Sequence, residues 1–113
     1  MSALFDFGEF DDSIESRFKY ILIETDNTMI VRGWIKAEFH ADIWEEVQRR
    51  EGIKGKVIGG GRIHFEPDSK RIEVYGHSIG FPWPRGLSLN HEAAAIIQSW
   101  FPNWNVSSST EGY

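Results

Sequence analysis

The pattern of apolar residues changes from strand-like to helix-like within residues 29–50, and this change constrains the fold most. Residues 29–35 are rich in β-branched and aromatic side chains, which is typical of a β-strand. Ile43 and Val47 then recur four residues apart, with acidic side chains between them, as on an amphipathic helix. His40 stands between the two segments. The sequence therefore predicts a strand followed closely by a helix, with a histidine where the helix begins.

A helix start with a histidine beside it is a suitable place for an anion. The first N–H groups of a helix have no intrahelical acceptor, and the helix dipole is positive there. The imidazole of His40 adds a nitrogen that can act as a nucleophile or accept a proton. This arrangement suggests phosphate chemistry at His40. Taken alone, however, His40 would more often be a structural residue, because an isolated histidine defines no site.

The rest of the chain alternates strands and helices around turn residues. We predict strands over residues 18–24, 29–35, 56–65, 71–77 and 104–107, one helix over residues 41–50, and a second helix that Ser88 caps and Pro102 ends. This ββαββαβ order predicts an α+β single domain, with a mixed sheet of five or six strands flanked by two helices. Residues 1–16 carry five acidic side chains, and we interpret them as a partly ordered N-terminal segment before a domain of residues 17–113.

Composition excludes several classes of protein. A chain of 113 residues with 41% hydrophobic content suits one globular domain. The chain has no cysteine, which excludes disulfides, thiolate metal ligands and cysteine nucleophiles. A formal net charge of −5 argues against binding to nucleic acid or to an anionic membrane surface. No segment approaches the roughly 20 apolar residues of a membrane span, and no secretory signal is recognisable, so we expect a cytoplasmic monomer.

Several short motifs occur from residue 18 to the end of the chain. They are Phe18-Lys19-Tyr20, Val31-Arg32-Gly33, Glu38-Phe39-His40-Ala41-Asp42-Ile43, Gly59-Gly60-Gly61-Arg62-Ile63, Tyr75-Gly76-His77-Ser78 and the terminal Gly112-Tyr113. Together and in this order, they resemble the small protein phosphohistidine phosphatases, the Janus/Ocnus family. The resemblance implies a mixed sheet flanked by two helices and a hydrolysis of phosphohistidine in proteins that needs no metal or cofactor.

The same resemblance implies a role for particular residues of this chain. The catalytic histidine of the family falls on His40, acting as a nucleophile or as a general base. The expected partners are histidine-phosphorylated proteins or small phosphoramidates. The implied phosphate-binding residues, through side chains or backbone amides, are Lys19, Arg32, Ala41, Arg62, Ser78, Ile79 and Gly80.

The physical chemistry of phosphoryl transfer agrees with this set of residues. The transferred group carries charge on its outer oxygens, which cations and helix-start amides stabilise. Arginine offers a planar, bidentate fork to phosphate, and lysine a compact point charge. Neighbouring cations also disfavour the protonated form of His40, which lowers its pKa and keeps one nitrogen free at neutral pH.

Each of these residues also has a structural interpretation. Lys19 and Arg32 occupy strand positions where solvent-facing side chains are ordinary, and Ser78 follows a strand as many turn residues do. The three glycines before Arg62 are more often a bulge or a bend than a ligand site.

Two further features and the function itself leave alternatives open. His64 could contribute to a metal site with Glu66 or with His77, but a convincing third ligand is lacking. Trp83, between two prolines, has three possible roles. It could form a wall of the site, contact the substrate peptide, or pack as an ordinary aromatic residue of the loop. A non-catalytic phosphate or phosphoprotein-binding module is the main alternative to an enzyme.

Overall fold

The computed structural model describes residues 13–110, which fold around one five-stranded sheet. The elements are β1 (Ser16–Glu24), β2 (Met29–Trp34), α1 (His40–Arg50), β3 (Lys56–Glu66), β4 (Arg71–Tyr75), a 3-10 turn (Pro84–Gly86), α2 (Asn90–Trp100) and β5 (Asn105–Ser108). The predicted ββαββαβ order and the α+β class with a mixed sheet are confirmed. No helix in this part of the chain is long and apolar enough to cross a membrane.

The sheet has the strand order β2-β1-β3-β4-β5. All neighbouring pairs are antiparallel except β4 and β5, which are parallel because α2 carries the chain back across the sheet between them. The hairpin of β1 and β2 closes through Thr25, whose backbone N–H donates to the Thr28 carbonyl at 2.9 Å and whose hydroxyl accepts from the Thr28 N–H at 3.1 Å. This topology places β1 and β3 at the middle of the sheet.

Alternating side chains of β1 pack against different helices on the two faces of the sheet. Ile21 and Ile23 contact a core cluster that contains Ile43 and Val47 of α1. The intervening side chains point to the opposite face, where α2 packs. The main members of this second cluster are Phe18, Tyr20, Leu22, Ile63, Phe65, Val74, Ala93 and Ile97. The period-two pattern of β1 therefore reflects a strand buried on both faces.

Several predicted boundaries differ from the structure by one or two residues. β1 begins at Ser16, so the boundary expected between residues 16 and 17 falls inside a strand. β4 ends at Tyr75, because Gly76 turns the chain with a φ of 76°. The N-cap position of α2 is Leu89 rather than Ser88, although the Ser88 hydroxyl still accepts from the Asn90 N–H at 3.1 Å. Residues 1–12 of the acidic segment lie outside the described residues.

The glycine-rich part of β3 continues the strand through a β-bulge. Leu22 faces Gly59 whereas Ile23 faces Val57, so Ile58 is the extra residue of the bulged strand. The expectation of a bulge near the three glycines is therefore correct. The strand itself runs unbroken to Glu66, which carries Arg62 to a position directly opposite Lys19.

Candidate active site

His40 is the first residue of α1, and the local hydrogen bonds fix where that helix begins. The Asp42 carboxylate accepts from the Phe39 N–H at 2.9 Å, and the Asp42 N–H donates to the Phe39 carbonyl at 3.0 Å. The imidazole of His40 is buried, with 8% of the residue's surface exposed. The amides of His40 and Ala41 follow at the positive end of the helix dipole, where N–H groups have no intrahelical acceptor.

One hydrogen bond sets the tautomer of His40. Its Nε2 lies 2.9 Å from the backbone carbonyl of Gly61, which can only accept. Nε2 therefore carries the proton, and the lone pair of the neutral imidazole is on Nδ1. The ring reaches β3 only because residue 60 is glycine: a Cβ there would lie 2.8 Å from Cδ2 of His40 and 2.6 Å from the Tyr20 carbonyl oxygen. The glycines thus permit the close approach that orients the histidine.

The surroundings of His40 favour its neutral form. Burial lowers the pKa of the His40 imidazole, and the positive charges of Lys19 and Arg62, together with His77, lower it further. The hydrogen bond to Gly61 opposes this effect. The net direction is downward, so Nδ1 is unprotonated at neutral pH.

The His40 imidazole opens into a cavity of about 410 Å³. The cavity contains every predicted site residue except Arg32. Glu38, Phe39 and Phe81 also line it, although the sequence alone did not single them out, and His77 joins them as the sequence had suggested. The predicted residues that it brings together are Lys19, His40, Ala41, Arg62, Ser78, Ile79 and Gly80.

Two cations of this cavity stand side by side on the sheet. Lys19 of β1 and Arg62 of β3 are directly paired in the strand register, so their side chains share one face. Among residues 13–110, neither forms an ion pair. Nε of Arg62 is buried and has no hydrogen-bond partner in this range. Two cations without an ion pair in this range, beside helix-start amides, are suited to an anion.

The loop after β4 closes the other side of the cavity. The Ser78 hydroxyl is buried and accepts from the Phe81 N–H at 3.1 Å, which folds the loop into a tight turn. Ile79 is thereby held at the mouth with 77% of its surface exposed, and Phe39 is 63% exposed on the helix side. The anion site therefore has two apolar side chains at its rim.

Arg32 is not brought to this cavity, contrary to the prediction. Its Nε and Nη2 atoms lie 2.7 and 2.5 Å from the two carboxylate oxygens of Glu51, and Nη1 donates to the Val31 carbonyl at 3.0 Å. Glu51 follows the last residue of α1. The guanidinium therefore ties β2 to the end of the helix opposite His40. The sequence motif could not show this, because the pairing depends on how α1 crosses the sheet.

Possible metal ligands gather at a different place. Nε2 of His64 lies 2.6 Å from a Glu15 carboxylate oxygen, and Nδ1 lies 3.5 Å from Glu66. One ligand atom from each of these residues falls within 4.8 Å of the others. Both ring nitrogens of His64 face carboxylates. The contact with Glu15 joins β3 to the residue that directly precedes β1. None of the three residues lines the cavity at His40.

A buried polar network supports the loop from the other face of the sheet. The Tyr20 hydroxyl donates to Oδ1 of Asn90, whose Nδ2 donates to the carbonyls of Gly76 at 3.0 Å and Ser109 at 2.9 Å. Burial raises the pKa of Tyr20, so the phenol remains protonated and able to donate. The network fixes Gly76, which directly follows β4 and lies two residues before Ser78. A tyrosine in an apolar strand was the only sign of this network in the sequence.

Comparison with known proteins agrees with the motifs of the sequence. The model of the Janus/Ocnus family (Ocnus) matches residues 7–105 of the chain. The chain belongs to the Janus/Ocnus family. Its relatives include the sex-regulated protein janus-A of Drosophila pseudoobscura pseudoobscura, which is 36% identical, with 88% of this chain and 72% of the relative covered. The 14 kDa phosphohistidine phosphatase of Sus scrofa is 32% identical, with 100% of both chains covered.

In this Janus/Ocnus protein, most of the motifs fall on the walls of one cavity. The motif at residues 18–20 contributes Lys19, and the motif at 38–43 forms the start of α1. The motifs at 59–63 and 75–78 supply Arg62 and the turn at Ser78. The motif at 31–33 instead holds the ion pair of Arg32. The terminal Gly112-Tyr113 lies outside the described residues.

Proposed function

We propose that this protein is a metal-independent phosphatase that hydrolyses the phosphoramidate bond of phosphohistidine in proteins. The observation that carries the proposal is a neutral, buried histidine, with its proton on Nε2, on the wall of a cavity that Lys19 and Arg62 also line. Within residues 13–110, neither cation forms an ion pair. A full-length relative named a phosphohistidine phosphatase adds support.

The surroundings of His40 suit it to nucleophilic attack. Lys19, Arg62 and the amide of Ala41 would bind the phosphoryl oxygens, with the amides of Ile79 and Gly80 on the opposite wall. Nδ1 of His40 would attack phosphorus while the bond from phosphorus to the substrate imidazole breaks, and the leaving imidazole takes up a proton from water. Because donor and acceptor are both imidazoles, the transfer is nearly balanced in free energy. Water then hydrolyses the phosphorylated His40.

A general-base mechanism uses the same geometry. In it, Nδ1 takes a proton from a water molecule that attacks phosphorus directly, and the resulting imidazolium can return that proton to the leaving imidazole. The hydrogen bond from Nε2 to Gly61 would stabilise positive charge on the ring in either mechanism. The two mechanisms differ in whether phosphorus is ever bonded to His40.

The experiment that tests the proposal compares turnover by the wild type and His40→Ala on a histidine-phosphorylated protein, beside phosphoserine and phosphotyrosine peptides and with EDTA present. We expect hydrolysis of phosphohistidine that survives EDTA and is nearly abolished in His40→Ala. Rapid quench into alkali followed by mass spectrometry would detect a phosphorylated His40, since phosphohistidine is stable in base. Full activity of His40→Ala would contradict every catalytic role given to this residue.

The alternative, a phosphate-binding module without turnover, rests on the two cations and the helix-start amides alone. Such a module needs no free Nδ1. It would be supported if wild type and His40→Ala bound phosphate equally and neither released phosphate from phosphohistidine.

A further inference from the structure

The cluster of Glu15, His64 and Glu66 lies outside the phosphate site and has no part in the proposed mechanism. One ligand atom from each residue lies within 4.8 Å of the other two. His64 and Glu66 are two positions apart on β3, so their side chains share one face of the sheet. Ser16, the first residue of β1, pairs with Phe65, which places Glu15 beside the same part of β3. The fold therefore brings three possible metal ligands to one end of the two central strands.

The imidazole of His64 is already held as a metal-bound histidine would be. Its side chain is only 9% exposed and stands on a central strand of the sheet. Nε2 lies 2.6 Å from a carboxylate oxygen of Glu15, and Nδ1 lies 3.5 Å from a carboxylate oxygen of Glu66. Whichever ring nitrogen binds a metal ion, the other N–H keeps a carboxylate beside it. Metal-bound histidines almost always donate their second N–H to such an acceptor, which orients the ring.

The two carboxylates supply solvent access and negative charge. The side chains of Glu15 and Glu66 are 63% and 28% exposed, so an ion can enter and water can complete its coordination. A rotation of the exposed Glu15 side chain would admit bonds of about 2.0–2.2 Å to zinc. A metal-bound imidazole is neutral, so the two carboxylates leave two negative charges for a divalent cation to balance. Nitrogen together with carboxylate oxygens suits Zn²⁺, whereas Mg²⁺ and Ca²⁺ prefer oxygen ligands alone.

We propose that Glu15, His64 and Glu66 form a structural Zn²⁺ site, separate from the phosphate site. The ion would join Glu15, which directly precedes β1, to the end of β3 and so hold the two central strands together. A metal that binds the folded chain and not the unfolded chain stabilises the fold. None of the three ligands lines the cavity at His40, so the inference is independent of the proposed function and compatible with hydrolysis that needs no metal.

Calorimetric titration with Zn²⁺ and thermal unfolding of the metal-free protein test this site. We expect one high-affinity Zn²⁺ per wild-type chain and a higher Tm in its presence, which EDTA reverses. Glu15→Gln should raise the Kd for Zn²⁺ about tenfold or more and reduce the gain in Tm, because an amide is a poorer ligand than a carboxylate. Glu45→Gln removes an exposed carboxylate of α1 outside the cluster and should bind Zn²⁺ as the wild type does. Equal Kd values for Glu15→Gln and the wild type would overturn the proposal.

Replacing single histidines identifies the nitrogen ligand. His64→Gln should lose the high-affinity site, whereas His91→Gln, at an exposed histidine of α2 outside the cluster, should keep it. In an NMR spectrum, Zn²⁺ should shift the ring nitrogens of His64 and leave those of His40 in place. Because His64 is largely buried, Glu66→Gln provides the same test if His64→Gln fails to fold.

Two results would contradict the zinc site directly. One is a wild type that binds no Zn²⁺, and the other is Zn²⁺ that shifts the ring nitrogens of His40 instead of those of His64. The proposed function has a separate readout, because Glu15 does not line the cavity and Glu15→Gln should hydrolyse phosphohistidine as the wild type does. If the wild type hydrolysed no phosphohistidine, the proposed function would fail while the Zn²⁺ titration still decided the metal site.

Discussion

At the scale of single residues, the chemistry depends on which nitrogen of His40 is free. The Gly61 carbonyl holds the proton on Nε2, and the nearby cations keep a second proton from Nδ1. The same cations would bind the phosphoryl oxygens. Under the proposed function, binding of the substrate and activation of the histidine are therefore two effects of the same positive charges, and the pH dependence of activity reports the second.

The first prediction is that Lys19→Met shifts the acid limb of the pH–activity profile to higher pH. Lys19 lowers the pKa of His40, so removing its charge makes protonation of Nδ1 easier and raises that pKa. The acid limb should be measured on a plot of kcat/KM against pH, because kcat/KM reports the pKa of the group in the free enzyme. Lys54→Met removes an exposed charge outside the cavity and should leave the limb in place. A shift to lower pH in Lys19→Met would contradict the electrostatic explanation.

Arg62 allows a second prediction at this scale. Arg62→Ala should reduce kcat/KM about tenfold to a hundredfold, because a charged hydrogen bond contributes about 1.5–3 kcal/mol. Arg62→Lys should recover only part of the loss, since the planar fork is gone. Arg71→Ala, on β4 and outside the cavity, is the control for losing a strand arginine. Wild-type kinetics in Arg62→Ala would contradict the assignment of Arg62 to the phosphate site, whereas unfolding of this variant would favour a structural role.

At the scale of elements, the position of the site follows from how α1 and β3 meet. The glycine at position 60 lets the helix start approach the strand, and the pair of Arg32 and Glu51 fastens the other end of the helix to β2. The helix is therefore held at both ends over the sheet. Under the proposed function, the contact at Gly60 affects catalysis, whereas the ion pair of Arg32 and Glu51 affects only stability.

The third prediction separates those two contacts. Arg32→Met should lower the free energy of unfolding by about 1–3 kcal/mol, because it leaves Glu51 without its charged partner in a partly buried position. kcat should change little, since Arg32 does not line the cavity. Thermal unfolding and steady-state kinetics on the same sample would measure both. A loss of kcat with normal stability would return Arg32 to the phosphate site, as the sequence motif first suggested.

Gly60→Ala is the fourth prediction, and it should lower kcat together with the free energy of unfolding. The added Cβ would overlap the imidazole of His40 and the Tyr20 carbonyl, so the ring must move away from β3. We expect a large fall in kcat and, in an NMR spectrum, a changed environment of the His40 ring nitrogens. Retention of wild-type kcat would mean that the ring position is not critical.

These elements also show how far sequence alone could lead. The alternation in β1 and the spacing of Ile43 and Val47 were enough to predict the order of strands and helices, because local periodicity determines both. The resemblance of the motifs to a known family was enough to assign His40, Lys19 and Arg62 to one site. The partner of Arg32 could not be predicted, because it depends on the crossing of α1 over the sheet. A second cavity, which Trp83 and Leu87 line, could not be predicted either, because residues of the loop between β4 and α2 form most of its wall.

At the scale of the whole molecule, the two hydrophobic clusters are separated by a single sheet. The cavity lies on the α1 side, while Tyr20 and Asn90 lie on the α2 side. The hydrogen bonds of Asn90 to Gly76 and Ser109 connect β4, α2 and the end of β5. The position of the turn at Ser78 therefore depends on a network in the opposite half of the protein.

The fifth prediction follows from this connection. Tyr20→Phe should reduce the free energy of unfolding by about 1–3 kcal/mol, because it leaves Oδ1 of Asn90 buried without its donor. Denaturant unfolding would give the value. KM for the substrate should also rise modestly, because the network fixes the loop that lines the cavity. An unchanged stability would mean that Asn90 finds another donor.

Gly61 has a consequence for how this protein tolerates change. Its carbonyl orients the imidazole on one face of the sheet, while on the other face a Cβ would lie 3.0 Å from the Tyr20 ring and 3.1 Å from Oδ1 of Asn90. The peptide unit of Gly61 thus lies between the His40 imidazole on one face and the polar network of Tyr20 and Asn90 on the other. Adaptation of the interior and adaptation of the chemistry cannot proceed independently here. Substitutions that repack the α2 side should carry a catalytic signature even though they touch no substrate.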